Sequence, residues 1–301
     1  METKSTGTYK NLLIQLDKVA KHTRQGSFKT RERYYKAFKR FCTYLADTYR
    51  LEKLSNISPK HIASYTEFMK EKGLSPSTIK TDLTAIRFYH DQMPQTKHTL
   101  PANSTLDIAR RRFGGVDRTW SQREFNLMVL KAFKCEREDY AAIFTLARYA
   151  ALRLEECFKI DTASADRAIK TGEITVKGKG GLMRTVPINE SIRIELQKML
   201  TITPRGHKLF VANCDKTHLA KKRLQNFICY HRPSIQEEGS VKPMTFHGLR
   251  HTCAAEWYND FVKAGYAPFE ARKKVAEWLG HHRDDVTRIY LASTKDGDFD
   301  V

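Results

Sequence analysis

The sequence predicts a mainly α-helical protein: an N-terminal four-helix bundle, then a mostly helical domain carrying a small antiparallel β-sheet. Three observations predict it. Apolar residues recur at helical spacing along much of the 301-residue chain. Ser-Pro pairs and a capping box stand where those periodic stretches begin. The period changes to two in "GEITVKGKGGLMRTVPI", where glycines separate two short apolar arms.

Taken in order, a helix around Tyr9–Lys21 opens the bundle. Tyr34, Phe38, Phe41 and Leu45 mark the second helix, Ile62, Tyr65 and Met69 the third, and Ile79, Leu83, Ile86 and His90 the fourth. Ser58-Pro59 and Ser75-Pro76 each set a capping residue before a proline at the first helical position, and Gly73 fits the end of the third helix. Residues 1–93 are therefore read as one helical domain. Residues 94–117, "PQTKHTLPANSTLDIARRRFGGVD", carry two prolines, a polar stretch and a Gly-Gly, and are read as a linker. Its Arg110, Arg111 and Arg112 are candidates for lying along a phosphate backbone. A solvated charge run explains them equally well.

The second domain, residues 118–301, begins with Ser121 and Glu124 in a capping box. The helix Tyr140–Leu152 is apolar almost all round and should be buried. In the hairpin, Ile174 and Val176 lie on one arm and Val186 and Ile188 on the other. Further helices are expected at about 189–201, 216–231, 245–264, 268–279 and 284–291. No internal repeat or low-complexity tract is evident.

Composition narrows the function. A hydrophobic content of 41% suits a folded chain. The longest apolar run, "YAAIFTLARYAAL", is broken by Arg148 and too short to span a membrane, and the polar start "METKSTGTYK" lacks a signal-peptide core. A cytoplasmic protein without a membrane partner is expected. Six scattered cysteines form no CxxC pair, so neither a zinc site nor a disulfide framework is indicated, and mostly buried thiols are expected. The net charge of +19 is spread, with +10 in residues 1–100 and +8 in residues 118–301. A basic surface on both domains points to nucleic acid.

Several polar residues then stand out. Arg153 follows the buried helix in "YAALRLEE"; Glu155 or Glu156 can pair with it, or a phosphate can. Lys179 sits at the hairpin tip, exposed or delivered as a mobile cation to a leaving group. In "TFHGLRHT", His247 and Arg250 share a face at a helix N-terminal turn. An imidazole that passes a proton beside a guanidinium that holds an anion suits phosphate chemistry; a capping histidine and a surface arginine is the plainer reading. Arg250-His251 also resembles the Arg-His-Gly of histidine phosphatases, but it lies late in the chain and Thr252 stands in place of the glycine. In "LGHHRDDVTRIYL", Gly280 ends a helix, His281 and His282 follow, and Asp284 or Asp285 can cap the helix that contains Tyr290.

The ordered set resembles the tyrosine recombinase (phage integrase) family in its minimal two-domain form. "ALRLEE" resembles the G-L-R-x-x-E box, "ITVKGKGGLMRTVPI" the hairpin V-x-G-K-G-x-x-x-R-x-V-P, "TFHGLRHTCAA" the H-x-L-R-H-T box, and "LGHHRDDVTRIYL" the L-G-H followed nine residues later by tyrosine. The likeness covers about residues 118–295, and the helical bundle resembles the family's core-binding, DNA-binding domain. Two departures stand out: Ala151 replaces the usual glycine, and "YNDFVKAGYAPFEARKKVAE" lengthens the segment before L-G-H.

The resemblance implies six catalytic residues: Arg153, Lys179, His247, Arg250, His281 and Tyr290. Tyr290 would attack a DNA phosphodiester and leave a 3′-phosphotyrosine with a free 5′-hydroxyl. A phenol with a pKa of about 10 needs help to do so. Arg153 and Arg250 would hold the non-bridging oxygens, Lys179 would protonate the leaving oxygen, His247 would exchange protons and His281 would bind a phosphate oxygen. No cofactor, metal or ATP is implied, and no carboxylate cluster suited to magnesium accompanies the motifs. The implied partners are double-stranded DNA recombination sites and three further copies in a synaptic homo-tetramer, with room for an accessory DNA-bending or directionality protein. The host would be bacterial and the protein nucleoid-associated when bound. The outcome would be integration, excision or resolution of mobile DNA; a type IB-like topoisomerase or a non-catalytic DNA-binding protein are the alternatives. The tail "ASTKDGDFDV" would pack on a neighbouring protomer or fray.

Overall fold

The computed structural model describes residues 6–110, 116–178, 181–240, 243–280 and 284–294. The chain divides into two compact units, residues 1–112 and 113–301.

The first unit is the expected bundle: α1 (Thr6–His22), α2 (Phe28–Tyr49), α3 (Pro59–Glu71) and α4 (Pro76–His90). Its helix starts are chemically explicit. The Ser75 hydroxyl accepts the Thr78 N–H at 3.3 Å, and the Ser58 N–H donates to His61 Nδ1 at 3.0 Å. Prolines 59 and 76 supply the preset φ of a first helical residue. The apolar stripes close over Leu12, Leu16, Phe38, Phe41, Leu45, Ile62, Met69, Leu83 and Ile86, all within 2% of full burial. Phe38 packs edge-on against both Phe41 and Tyr89, the geometry that aromatic quadrupoles favour. Within the segment read as a linker, Leu100, Leu106 and Ile108 pack against this same core.

In the second unit, α5 (Gln122–Lys134) starts at the expected capping box: the Ser121 hydroxyl accepts the Glu124 N–H at 3.1 Å, and Glu124 Oε2 accepts the Ser121 N–H at 2.9 Å. Next comes α6 (Glu138–Ala150), buried on nearly every side. Arg148, which interrupts its apolar run, stays inside because Glu256 takes it in a two-point ion pair, one arm at 2.5 Å. Two helices lie outside the sequence expectation: the single turn α7 (Leu154–Cys157) and α8 (Thr162–Thr171). The latter begins at Asp161, whose carboxylate accepts the Ser164 N–H at 2.8 Å, and stops at Gly172 with φ +75°.

Strands β1 (Glu173–Lys177) and β2 (Met183–Pro187) pair antiparallel, with Ile174 opposite Val186 and Val176 opposite Arg184. After α9 (Glu190–Ile202) and α10 (Thr217–His231) come α11 (Phe246–Lys263), α12 (Pro268–Leu279) and α13 (Asp284–Tyr290). Helices α5, α9 and α11 pack around α6. Helices α11, α12 and α13 close a smaller core of Ala151, Ala254, Tyr258, Ala271, Val275, Leu279 and Leu291. The segment read as lengthened before L-G-H, residues 258–277, forms the end of α11, the turn at 264–267 and most of α12. Half of the thiols depart from expectation: Cys42, Cys157 and Cys253 are buried, but Cys135, Cys214 and Cys229 are exposed, because their helices turn those positions to solvent or they sit in surface turns. Among the described residues no helix is long and apolar enough to cross a membrane.

Candidate active site

The site forms where α6 ends. Ala151 is its C-cap and adopts a left-handed conformation, φ +49° and ψ +34°. The turn directs the Ala151 carbonyl at two guanidiniums: Arg250 Nη1 donates to it, and so does Arg184 Nη2 at 3.2 Å. Two residues on, Arg153 opens α7. Its N–H donates to Glu156 Oε2 at 2.7 Å, and its Nη1 donates to Glu156 Oε1 at 2.8 Å. Of the two candidate partners, Glu156 is thus the one that holds Arg153; Glu155 pairs with Lys221 at 2.9 Å.

Helix α11 presents the next groups. His247 and Arg250 lie one turn apart at its start. Gly248, between them, lets the helix approach the extended segment that enters α5: a Cβ there would stand 2.4 Å from the Arg118 carbonyl and 2.6 Å from Trp120 Nε1. Thr252 accepts the Trp120 N–H at 2.8 Å, fixing α11 further to that segment. Arg250 is completely buried. Its Nη2 donates to the Leu279 carbonyl at 2.5 Å, and Arg153 Nη2 donates to the same oxygen at 3.2 Å. The last turn of α12 is thereby tied to both arginines.

Tyr290, at the end of α13, closes the group. Its hydroxyl lies 3.3 Å from His247 Nε2. Its ring stacks at a 35° tilt on His251, centroids 4.5 Å apart, and covers Arg250, whose Cζ is 5.4 Å from the ring centre. His251 also hydrogen-bonds the Tyr290 backbone.

The electrostatics follow from burial. Desolvation, with Arg250 and Arg153 nearby, lowers the His247 pKa to about 4; desolvation, with His247 and Arg118, lowers that of His251 to about 3. Both imidazoles are neutral at physiological pH, so the Tyr290 phenol can donate to His247 Nε2. Desolvation brings Arg250 down to about 10, still charged at neutrality. Burial works to raise the Glu156 pKa, but Arg184 and Arg153 outweigh it and hold the carboxyl below its usual range. Among the described residues, three guanidiniums thus meet around the single carboxylate of Glu156. That excess of positive charge is arranged to receive an anion.

Arg153, His247, Arg250 and Tyr290, scattered over 138 positions of the sequence, are brought together. Lys179 and His281 lie outside the described residues, as do Arg111, Arg112, the side chains of Asp284 and Asp285, and residues 295–301 of the tail. The described neighbours of the first two abut the site. A Cβ on Gly178 would sit 3.4 Å from Glu156 Oε1 and 3.6 Å from Arg153 Nη1, and Gly280 follows the shared Leu279 carbonyl directly. Arg110 is exposed in the first unit. The sequence assigned no part to Arg184 or His251, although both stand inside recognised boxes, and it gave Glu156 only as one of two partners.

This cluster joins a phenol, two neutral imidazoles and an excess of guanidinium charge, the groups that phosphoryl transfer requires. Comparison with known proteins shows the family. The phage integrase family model matches residues 124–296, and the model for the N-terminal domain of phage integrases matches residues 9–97. The chain belongs to the phage integrase family. A tyrosine recombinase XerC of Natranaerobius thermophilus is 24% identical over 93% of each chain. A XerD of Oceanobacillus iheyensis is 23% identical over 87% of this chain and 86% of its own. A lambda integrase fragment, solved as a dimer bound to a COC′ core site, shares the fold with a TM-score of 0.69, 18% identity, and coverage of 96% and 98%. A lambda integrase tetramer bound to a Holliday junction matches with a TM-score of 0.66 and 15% identity over 96% of this chain and 79% of that one.

Proposed function

We propose that this protein is a site-specific DNA recombinase that cleaves and rejoins double-stranded DNA through a 3′-phosphotyrosyl intermediate. One observation carries the reading: the Tyr290 hydroxyl lies 3.3 Å from a neutral imidazole, and its ring covers a guanidinium that shares a carbonyl with a second one. A nucleophile, a proton acceptor and two anion-binding forks in one place form a phosphodiester-cleaving set.

In the proposed reaction Arg153 and Arg250 hold the non-bridging oxygens. The Tyr290 oxygen attacks phosphorus as its proton passes to His247. The bond from phosphorus to the 5′-oxygen breaks, and Lys179 gives that oxygen a proton. His281 steadies a phosphate oxygen. The reverse reaction, with a 5′-hydroxyl from another duplex, completes strand exchange. One phosphodiester is exchanged for a phosphotyrosine and back, so bond energy is conserved and no nucleotide is consumed. Because the Tyr290 ring covers Arg250 in the free protein, α13 must give way as the phosphate arrives.

Residues 1–93 serve as the core-binding domain, 94–117 as the connection, with Arg110, Arg111 and Arg112 set along the backbone, and 118–301 as the catalytic domain. Two duplex sites are joined by four copies in the synaptic complex, with an accessory DNA-bending or directionality protein as a further partner. The protein works in the bacterial cytoplasm and associates with the nucleoid when bound. The net charge of +19 makes binding weaken steeply with salt, as phosphate contacts release counterions.

The test begins with a pool of nicked duplexes of random sequence. After incubation and denaturation, DNA that stays attached to the protein is sequenced. Wild type should retain DNA joined at Tyr290, and Tyr290→Phe none. No attachment by wild type would refute the enzyme; attachment with relaxation of supercoils but no exchange between two recovered sites would make it a topoisomerase.

A further inference from the structure

Arg184 occupies a place where a strand should put an apolar side chain. It faces inward from β2, opposite Val176 and two residues from Val186, and is only 7% exposed. Each of its contacts reaches a group that serves the site. Nη2 donates to Glu156 Oε2 at 2.8 Å, the carboxylate that grips Arg153, and to the Ala151 carbonyl at 3.2 Å, the oxygen that holds Arg250. Nη1 donates to the Trp278 carbonyl at 2.5 Å, one residue before the carbonyl that Arg153 and Arg250 share. Gly280 has no room for a side chain because a Cβ would stand 2.5 Å from Arg184 Cδ; its φ of +69° also suits glycine.

Stability alone does not explain this residue. Among the described residues its buried Nε has no hydrogen-bond partner, and Glu156 is already paired with Arg153. Placing a second guanidinium on the same buried carboxylate adds a desolvation cost that an apolar residue would avoid. What the charge does achieve is geometric. It ties β2, the end of α6, α7 and the last turn of α12 to one another, and so fixes the acceptors that orient the other two arginines.

We propose that Arg184 is a positioning residue for strand cleavage, setting the guanidinium planes of Arg153 and Arg250 through Glu156 and the Ala151 carbonyl. This rests on the reading of Arg153 and Arg250 as the groups that neutralise the scissile phosphate. Arg184 itself does not touch the phosphate, since both its Nη atoms are engaged in the protein.

A substrate without charge at that phosphate separates this role from a merely structural one. A duplex recovered from the random pool is prepared with a normal phosphodiester or with a neutral methylphosphonate at the cleaved position. Adduct formation is followed for wild type, Arg184→Lys, Arg184→Met, Arg153→Ala and the packing control Ile174→Ala, with thermal melts for each. Both Arg184 variants should slow cleavage of the phosphodiester by about 100-fold and of the methylphosphonate by less than about tenfold, matching the pattern of Arg153→Ala. Lysine keeps the charge but cannot form the fork, so it should fail as methionine does. If the methionine variant does not melt cooperatively, the lysine variant decides. Equal slowing on both substrates, as for Ile174→Ala, or no slowing on either, would overturn the role of Arg184. If Arg153→Ala is not relieved by the methylphosphonate while wild type cleaves, the assignment of Arg153 fails instead, and with it the basis of this proposal.

Discussion

The interior of the first unit is filled by Phe38, Phe41, Tyr65 and Tyr89, and two of its polar groups find partners nearby: the Thr66 hydroxyl donates to the Ile62 carbonyl one turn back, and Asp82 takes Arg40 from the neighbouring helix. The interior beneath α13 holds Arg184, Arg250, Glu156 and His251 instead, with backbone carbonyls of Ala151, Trp278 and Leu279 serving as acceptors. The bundle is arranged for burial of apolar area. The site is arranged for charge held in fixed directions. The contrast teaches that the two interiors should respond oppositely to the same kind of substitution.

Truncation in the bundle should cost folding free energy and leave the chemistry alone. Phe41→Ala removes a fully buried ring that touches Phe38 and Tyr65. It should destabilise the first unit by about 3–5 kcal/mol, read from denaturant melts, while adducts on a pre-selected duplex, at saturating DNA under native conditions, form at close to the wild-type rate. Arg250→Met is the mirror image. The carbonyls that Arg250 engages each keep a second donor, Arg184 on Ala151 and Arg153 on Leu279. A methionine of similar volume therefore removes a buried charge without orphaning an acceptor. Stability should stay within about 1 kcal/mol of wild type or rise, while cleavage falls by about 10²–10³-fold. A large loss of stability in Arg250→Met would erase the contrast.

Acid should act on the site through its two histidines. The folded pKa of His247, about 4, and of His251, about 3, lie below the ordinary 6.5. The unfolded chain takes up both protons near pH 6.5 and the folded chain does not. The stability they contribute is therefore complete above about pH 6.5 and is lost as the pH falls through the folded values. Replacing both with glutamine should flatten the fall in stability of the second unit between pH 6.5 and 4, by an uptake approaching two protons. An unchanged slope would mean that these imidazoles are already charged in the folded protein.

What the sequence discloses divides along the same line. Helix starts such as Ser58-Pro59, Ser75-Pro76 and Ser121–Glu124 are legible because the atoms that form a cap lie within four residues. Helix α8 escapes because "TASADRAIKT" is short and small-residued, with Ile169 as its one large apolar side chain; only the Asp161 cap and Gly172 announce it. Arg153, His247, Arg250 and Tyr290 are legible as parts of ordered boxes, and the fold brings them together. The part played by Arg184 is not, since its partner Glu156 is 28 residues away and Trp278 is 94 away. A box shows that an arginine stands there; only tertiary structure shows what it holds.

The smallest effect is expected at Ala151, where the family pattern has glycine. In its left-handed conformation, an alanine costs about 1–2 kcal/mol that glycine would avoid. Two opposing effects nearly cancel this. The Ala151 methyl is fully buried, and removing it forfeits about 0.8 kcal/mol. Glycine also gains freedom in the unfolded chain, worth about 0.4–1 kcal/mol. Ala151→Gly should therefore change stability by less than about 1 kcal/mol. Its carbonyl still faces Arg184 and Arg250, so adduct formation should be unchanged. A valine at this position is the sharper probe. Its branched Cβ resists a positive φ and has no free volume to enter, so the turn must open and the carbonyl must swing. Ala151→Val should lower both the melting temperature and the cleavage rate, so that packing and chemistry fail together at the turn that joins them.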